Sequence, residues 1–120
     1  MVRSHERYAT TTASNQTAVG AESGQGSATQ VDGITVVGYR STSVVEDGVA
    51  LGRNAAVAAG HTNSVAIGAT TTTTGADQVH VGNRDVELGV SGKGLVLKSP
   101  DGTRYRVTVN NGGTLAVAAA

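Results

Sequence analysis

Few residues in this 120-residue chain are of types that do chemistry, and their spacing does not assemble a site. His5, His61 and His80 are the only histidines. A histidine near the axis of a three-fold assembly could supply a three-imidazole metal site. His80 sits at the middle of Val79-His80-Val81; if the two valines face inward, it points to solvent instead. Asp47 and Asp77 invite comparison with calcium-binding β-rolls, but the Gly-Gly-x-Gly-x-Asp nonapeptide is absent. Their short carboxylates suit turns, where they bond backbone groups. Gly20, Gly24 and Gly26 do not fit a GxGxxG phosphate loop. No Ser-His-Asp arrangement is recognisable, and Glu22, Glu46, Asp47 and Glu87 are scattered rather than grouped as the paired carboxylates of glycoside cleavage. No catalytic residue, metal or cofactor is expected.

The element that must position any site is a repeat. Thr17-Ala18-Val19-Gly20, Thr35-Val36-Val37-Gly38, Val49-Ala50-Leu51-Gly52, Val65-Ala66-Ile67-Gly68 and Val79-His80-Val81-Gly82 are five copies of one phrase. Their glycines lie 14 to 18 residues apart. Asn15, Asp47, Asn63 and Asp77 precede four of these glycines by five positions, and Asp32 stands one place further back in the remaining copy. Apolar-x-apolar alternation predicts a strand, and Gly20, Gly38, Gly52, Gly68 and Gly82 predict the turns that end each one. Second, weaker strands follow at Ser41-Thr42-Ser43-Val44-Val45, Ala55-Ala56-Val57-Ala58-Ala59 and Thr70-Thr71-Thr72-Thr73-Thr74. One repeat is thus two short strands and two turns. Five rungs stacked about 4.8 Å apart make a rod of roughly 24 Å.

Composition points the same way. Hydrophobic residues are 38% and aromatics 2%, and both Phe and Trp are absent. Small Val and Ala side chains bury little area at roughly 25 cal/mol per Å², so a stable fold is expected to recruit further copies. Val19, Val37, Val49, Leu51, Val65, Ile67, Val79 and Val81 are the residues expected to face inward and pack the repeat core and the contacts between copies. Cysteine is absent, which removes disulfides and thiolate metal sites. Nine basic and nine acidic residues balance, so no nucleic-acid footprint is expected. No apolar run reaches the ~20 residues of a membrane span. Met1 to Tyr8 carries charge with no apolar run after it, which is unlike a secretory leader and predicts folding in a cytoplasm.

Outside the repeat, residues 1–14 read as an extended arm, 15–83 as a β-roll and 84–120 as a β-meander. Leu95 to Lys98 predicts a strand, and Ser99-Pro100-Asp101-Gly102 a type I turn. Thr103 to Val109 then alternates, placing Thr103, Tyr105, Val107 and Val109 opposite Arg104, Arg106 and Thr108. Asn110-Asn111-Gly112-Gly113 predicts the next turn and Thr114 to Val117 the last strand. Arg3 and Arg7 of the arm, with Lys98, Arg104 and Arg106 of the meander, are candidate docking residues for an acidic partner.

The segment Asn63-Ser64-Val65-Ala66-Ile67-Gly68, with its looser copies, resembles the head repeat of trimeric autotransporter adhesins of the YadA type. That resemblance covers residues 15–83 and implies a left-handed parallel β-roll, three chains around one axis. Gly94 to Val109 is similar to the C-terminal strand module of many tailed-phage virion proteins, which occurs in tail fibres, spikes and head fibres or decorations. An adhesin of that kind needs a leader, a coiled-coil stalk and a membrane anchor, none of which is written here, and the second copy carries bulky Tyr39-Arg40 after its glycine. The expectation is therefore an all-β, homotrimeric, non-enzymatic virion protein, assembled in the host cytoplasm. Head decoration or head fibre comes first, with the major capsid protein or another virion protein as partner. A tail fibre or spike meeting a host-surface receptor is the second reading, and an adhesin head fragment at a cell surface the third. The enzyme alternative is a hexapeptide-repeat acyltransferase using His61 or His80. Its six-residue phase fails, because counting back from Ile67 reaches His61.

Overall fold

The structure, a computed structural model, describes residues 15–24 and 31–120. The expected arm at 1–14, with Arg3, His5 and Arg7, lies outside the described residues. In chain order the strands are β1 (Thr17–Val19), β2 (Thr35–Val37), β3 (Thr42–Ser43), β4 (Val49–Leu51), β5 (Ala56–Val57), β6 (Val65–Ile67), β7 (Val79–Val81), β8 (Leu95–Lys98), β9 (Arg104–Val109) and β10 (Leu115–Ala119). The described residues contain no helix. The chain forms two compact units that divide between Arg84 and Asp85.

The first unit is a β-solenoid of about four turns, one fewer than the five phrases lead one to expect. The phrases themselves are the five strands of one parallel sheet, ordered β1-β2-β4-β6-β7. Pairing is in register, so Ala18, Val36, Ala50, Ala66 and His80 form one column along the sheet. The second strands stack as a shorter parallel pair, β3 on β5, extended by a single bridge from Ala56 to Thr72.

The column facing the solenoid's interior is not the expected one. Val36, Ala50 and Ala66, the middle residues, are fully buried. Val19 (46% exposed), Val37 (36%), Ile67 (37%), Val79 (65%) and Val81 (36%) face outward instead, and Val49, Leu51 and Val65 are half-buried. Period-2 alternation fixes two faces without saying which is inside. Here the interior is so narrow that it takes the smaller row. The opposing second strands fill it with Ser41, Ser43, Ala55, Val57, Thr71 and Thr73, all buried.

An interior this polar holds because its hydroxyls are occupied. Ser23 donates to the Gly20 carbonyl and Ser41 to the Gly38 carbonyl, each at 2.9 Å. Thr71 reaches the Ile67 carbonyl at 3.2 Å, and Ser64 the Gly75 carbonyl at 3.0 Å. Among the described residues no buried side-chain nitrogen or oxygen lacks a partner. A hydroxyl without one would cost about 1–3 kcal/mol. The turns thus bond to the core that they enclose.

Two left-handed positions recur in each rung. Asn15, Asp47, Asn63 and Asp77 have φ between 52° and 59°, and Gly33 at 72° takes this place in the second copy. That explains the displaced Asp32: glycine supplies the conformation, so no Asn or Asp is needed. The second position follows four of the five strand-ending glycines by two and is held by Glu22, Arg40, Asn54 and Thr70 at 54–60°. The backbone N–H of Asn54 and Thr70 donates to Tyr39 and Arg53 of the preceding rung at 2.8 Å, which holds the conformation in place. Thr70 is β-branched and poorly suited to it. Thr70→Asn is expected to stabilise the chain by about 0.5–1 kcal/mol, read as a higher urea midpoint at unchanged slope.

The second unit is the antiparallel sheet β10-β9-β8. Its first turn closes with the Gly102 N–H on the Ser99 carbonyl at 2.9 Å. The Asp101 carboxylate accepts from the Ser99 hydroxyl and, at 2.9 Å, from the Thr103 N–H. The Ser99 bond first, and the Thr103 bonds after it, hold Asp101 below its ordinary value of 3.8. A lowered carboxyl stabilises above its unfolded value and loses that contribution as pH falls through the folded one. The hairpin's amide protection is therefore expected to be level from neutral pH down to about pH 4 and to decline below it as the carboxyl protonates. Exchange measured across that range checks this, and Asp101→Asn should flatten the response.

Candidate self-association face

The outward row of the parallel sheet is the most distinctive surface of the solenoid. Along one edge of the row the residues are Thr17, Thr35, Val49, Val65 and Val79; along the other they are Val19, Val37, Leu51, Ile67 and Val81. Eight of these ten positions are aliphatic and none is charged. Adjacent rungs are only about 4.8 Å apart, so the side chains form one unbroken stripe, of the kind that marks an interaction surface.

Stacked glycines keep the stripe straight. Gly38 and Gly52 sit at φ 126° and 135°, and a Cβ on either would stand 2.7 Å from the backbone of the glycine in the next rung. Gly20 and Gly68 share this conformation, at φ 123° and 115°. Gly82 does not have a positive φ; a side chain there would run into the Thr71 hydroxyl instead. Beside the stripe, Arg40 bonds Glu22 of the preceding rung at 2.5 Å and lies over the Tyr39 ring, 5.2 Å from its centre. The Tyr39-Arg40 departure from the repeat is thus accommodated as a clip between rungs. Asn63 and Asp77 form a similar one, Nδ2 to Oδ1 at 2.9 Å.

His80 occupies the interior column rather than the solvent face expected of it, and it is half-buried as the last member of that column. A recess of about 310 Å³ borders it, lined by Thr70, Thr71, Thr72, Thr74, Asn83 and Arg84 among others. The Thr74 hydroxyl is 3.4 Å from His80 Nδ1, and no carboxylate lines the recess to orient the imidazole. His61 Nδ1 is 2.9 Å from the Thr73 hydroxyl, which also accepts from the Ala58 N–H. Both rings therefore close hydrogen bonds at the margin of the interior. Among the described residues no three His, Asp or Glu side chains are placed to hold a metal ion. Chelation with EDTA is expected to leave the melting temperature unchanged, and a drop of several degrees would contradict this.

In the second unit, Lys98 pairs directly with Arg104, while Arg106 pairs with Val96. Alternation then puts all three cations on one face of the sheet. Like charges directly opposite one another destabilise a sheet, and no acidic side chain faces this pair across the strands. The opposite face carries Leu95, Leu97, Tyr105, Val107, Val109, Leu115, Val117 and Ala119.

What sequence reasoning missed is the hydroxyl column at Ser23, Ser41 and Thr71. Its signal was present as a Ser or Thr three residues after the glycine in three copies. No helix of the described residues is long and apolar enough to cross a membrane. Compared with known proteins, the chain matches no family, no curated protein and no solved structure.

Proposed function

We propose that the chain is a non-enzymatic structural protein, a left-handed β-roll that associates as a homotrimer into a stiff surface post of a tailed-phage virion. The observation that carries this reading is the uncharged aliphatic stripe along the outward row of the parallel sheet. The solenoid's interior admits few large side chains, Ile34, Val36, Val45 and Val57 beside Ala, Ser and Thr, and most of its remaining aliphatic side chains lie on this stripe. Three copies meeting along it would bury those side chains and add to the small core that each copy has.

The virion assignment rests on the resemblance of Gly94 to Val109 to strand modules of phage head and tail proteins. Within that reading, capsid decoration or head fibre is the place proposed. Lys98, Arg104 and Arg106 form the docking face, and an acidic surface of the major capsid protein or another shell protein is the partner that resolves the repulsion between Lys98 and Arg104. Replacing all three with Glu is expected to abolish incorporation into particles while leaving the mass in solution unchanged. Incorporation at the wild-type level would overturn the docking role.

A further inference from the structure

The second unit lacks a layer. It is one three-stranded sheet whose apolar face stands largely open: Leu95 is 59% exposed, Leu97 57%, Val109 64%, Leu115 71% and Val117 65%, with Val107 at the centre half-buried. A single sheet with one apolar face needs a second layer about 10 Å away to be stable in water. We propose that this layer is the same face of other copies of the chain, so that the C-terminal sheet is a second self-association surface, additional to the stripe of the parallel sheet.

Three observations favour copies of this chain over a foreign partner. The face has no charged side chain; every cation of these strands lies on the opposite side, so stacking identical faces opposes no like charges. Such an apolar face is also a hazard from the moment of synthesis, and another copy is the cover always at hand. The third is area. Three strands spaced about 4.8 Å, each about 17 Å long, give a projected footprint on the order of 250 Å². The stripe of the parallel sheet, about 24 Å by 10 Å, is of similar size. Either alone is small beside the roughly 800 Å² of accessible surface per partner of a stable interface. The C-terminal surface is therefore expected to add to the stripe, and disabling it should release single chains at micromolar concentration.

This inference stands beside the proposed trimer but can fail separately from it. Full-length Leu115→Lys/Val117→Lys is compared by light scattering at micromolar concentration with Ala118→Glu, whose side chain is on the cationic face opposite Arg106. The first is expected to fall to the mass of one chain with its β circular dichroism retained, and the second to keep the wild-type mass. An unchanged mass for the double variant overturns the inference; if Ile67→Glu still dissociates, the stripe reading survives. Conversely, an Ile67→Glu chain of unchanged mass removes the stripe reading and leaves this one.

Should the double variant unfold, the absence of native cysteine allows a gentler probe. A maleimide is expected to label Val117→Cys at least tenfold more slowly than Ala118→Cys in the associated protein. Equal rates would show an open face and overturn the proposal.

Discussion

Gly52→Ala is expected to destabilise the chain by about 3 kcal/mol or more. Two costs add at this position. A φ of 135° is outside what an L side chain adopts readily, and the new Cβ would stand 2.7 Å from both the carbonyl carbon and the oxygen of Gly68. Backbone is what it meets, so no rotamer change relieves the contact. The rungs above and below would have to part, breaking bonds such as Gly68 N–H to the Leu51 carbonyl at 2.8 Å. Gly60→Ala is the internal control. Its φ is 80° with nothing within 4 Å of the added atom, so only the conformational cost of about 1 kcal/mol remains. Urea midpoints of the two variants measure the difference, and equal midpoints would show that rung stacking is looser than described.

Ile67→Glu is expected to convert the proposed trimer into single chains. Ile67 lies in the outward row between Leu51 and Val81. In a three-fold arrangement the substitution brings three carboxylates into an apolar contact. Each is desolvated and repelled by the others, a loss of at least 100-fold in association, or about 3 kcal/mol. Thr72→Glu, an exposed change on the shorter row of second strands, is expected to leave the mass unaltered. Both variants should keep their β circular dichroism at low temperature, because neither residue is inside the solenoid. A dissociated Thr72→Glu chain would place the interface on the wrong side.

Much of this fold was legible because its turns are chemically demanding. The Asn, Asp and Gly residues that begin and end each phrase are the types that tolerate left-handed backbone, so rung boundaries could be read directly. The displaced Asp32 was legible too, once Gly33 is recognised as the residue that makes the turn. The second left-handed position was not, since Glu22, Arg40 and Thr70 have no such preference and are held there by bonds to the neighbouring rung. The inward face was also hidden. Valine flanking alanine looks like a core in a strand, but the solenoid is too narrow for it, and the fully buried part of that column admits one valine, Val36, beside Ala50 and Ala66. His80 followed the same error, expected outside and found inside. In the meander the alternation carried its own answer, because a single layer has no interior to misassign.

The claim on which the rest depends is that three copies share the stripe of the parallel sheet. Light scattering of the full-length chain at micromolar concentration tests it most directly. A mass near three times 11.9 kDa, the mass of one chain, is expected. A mass of one chain would contradict it.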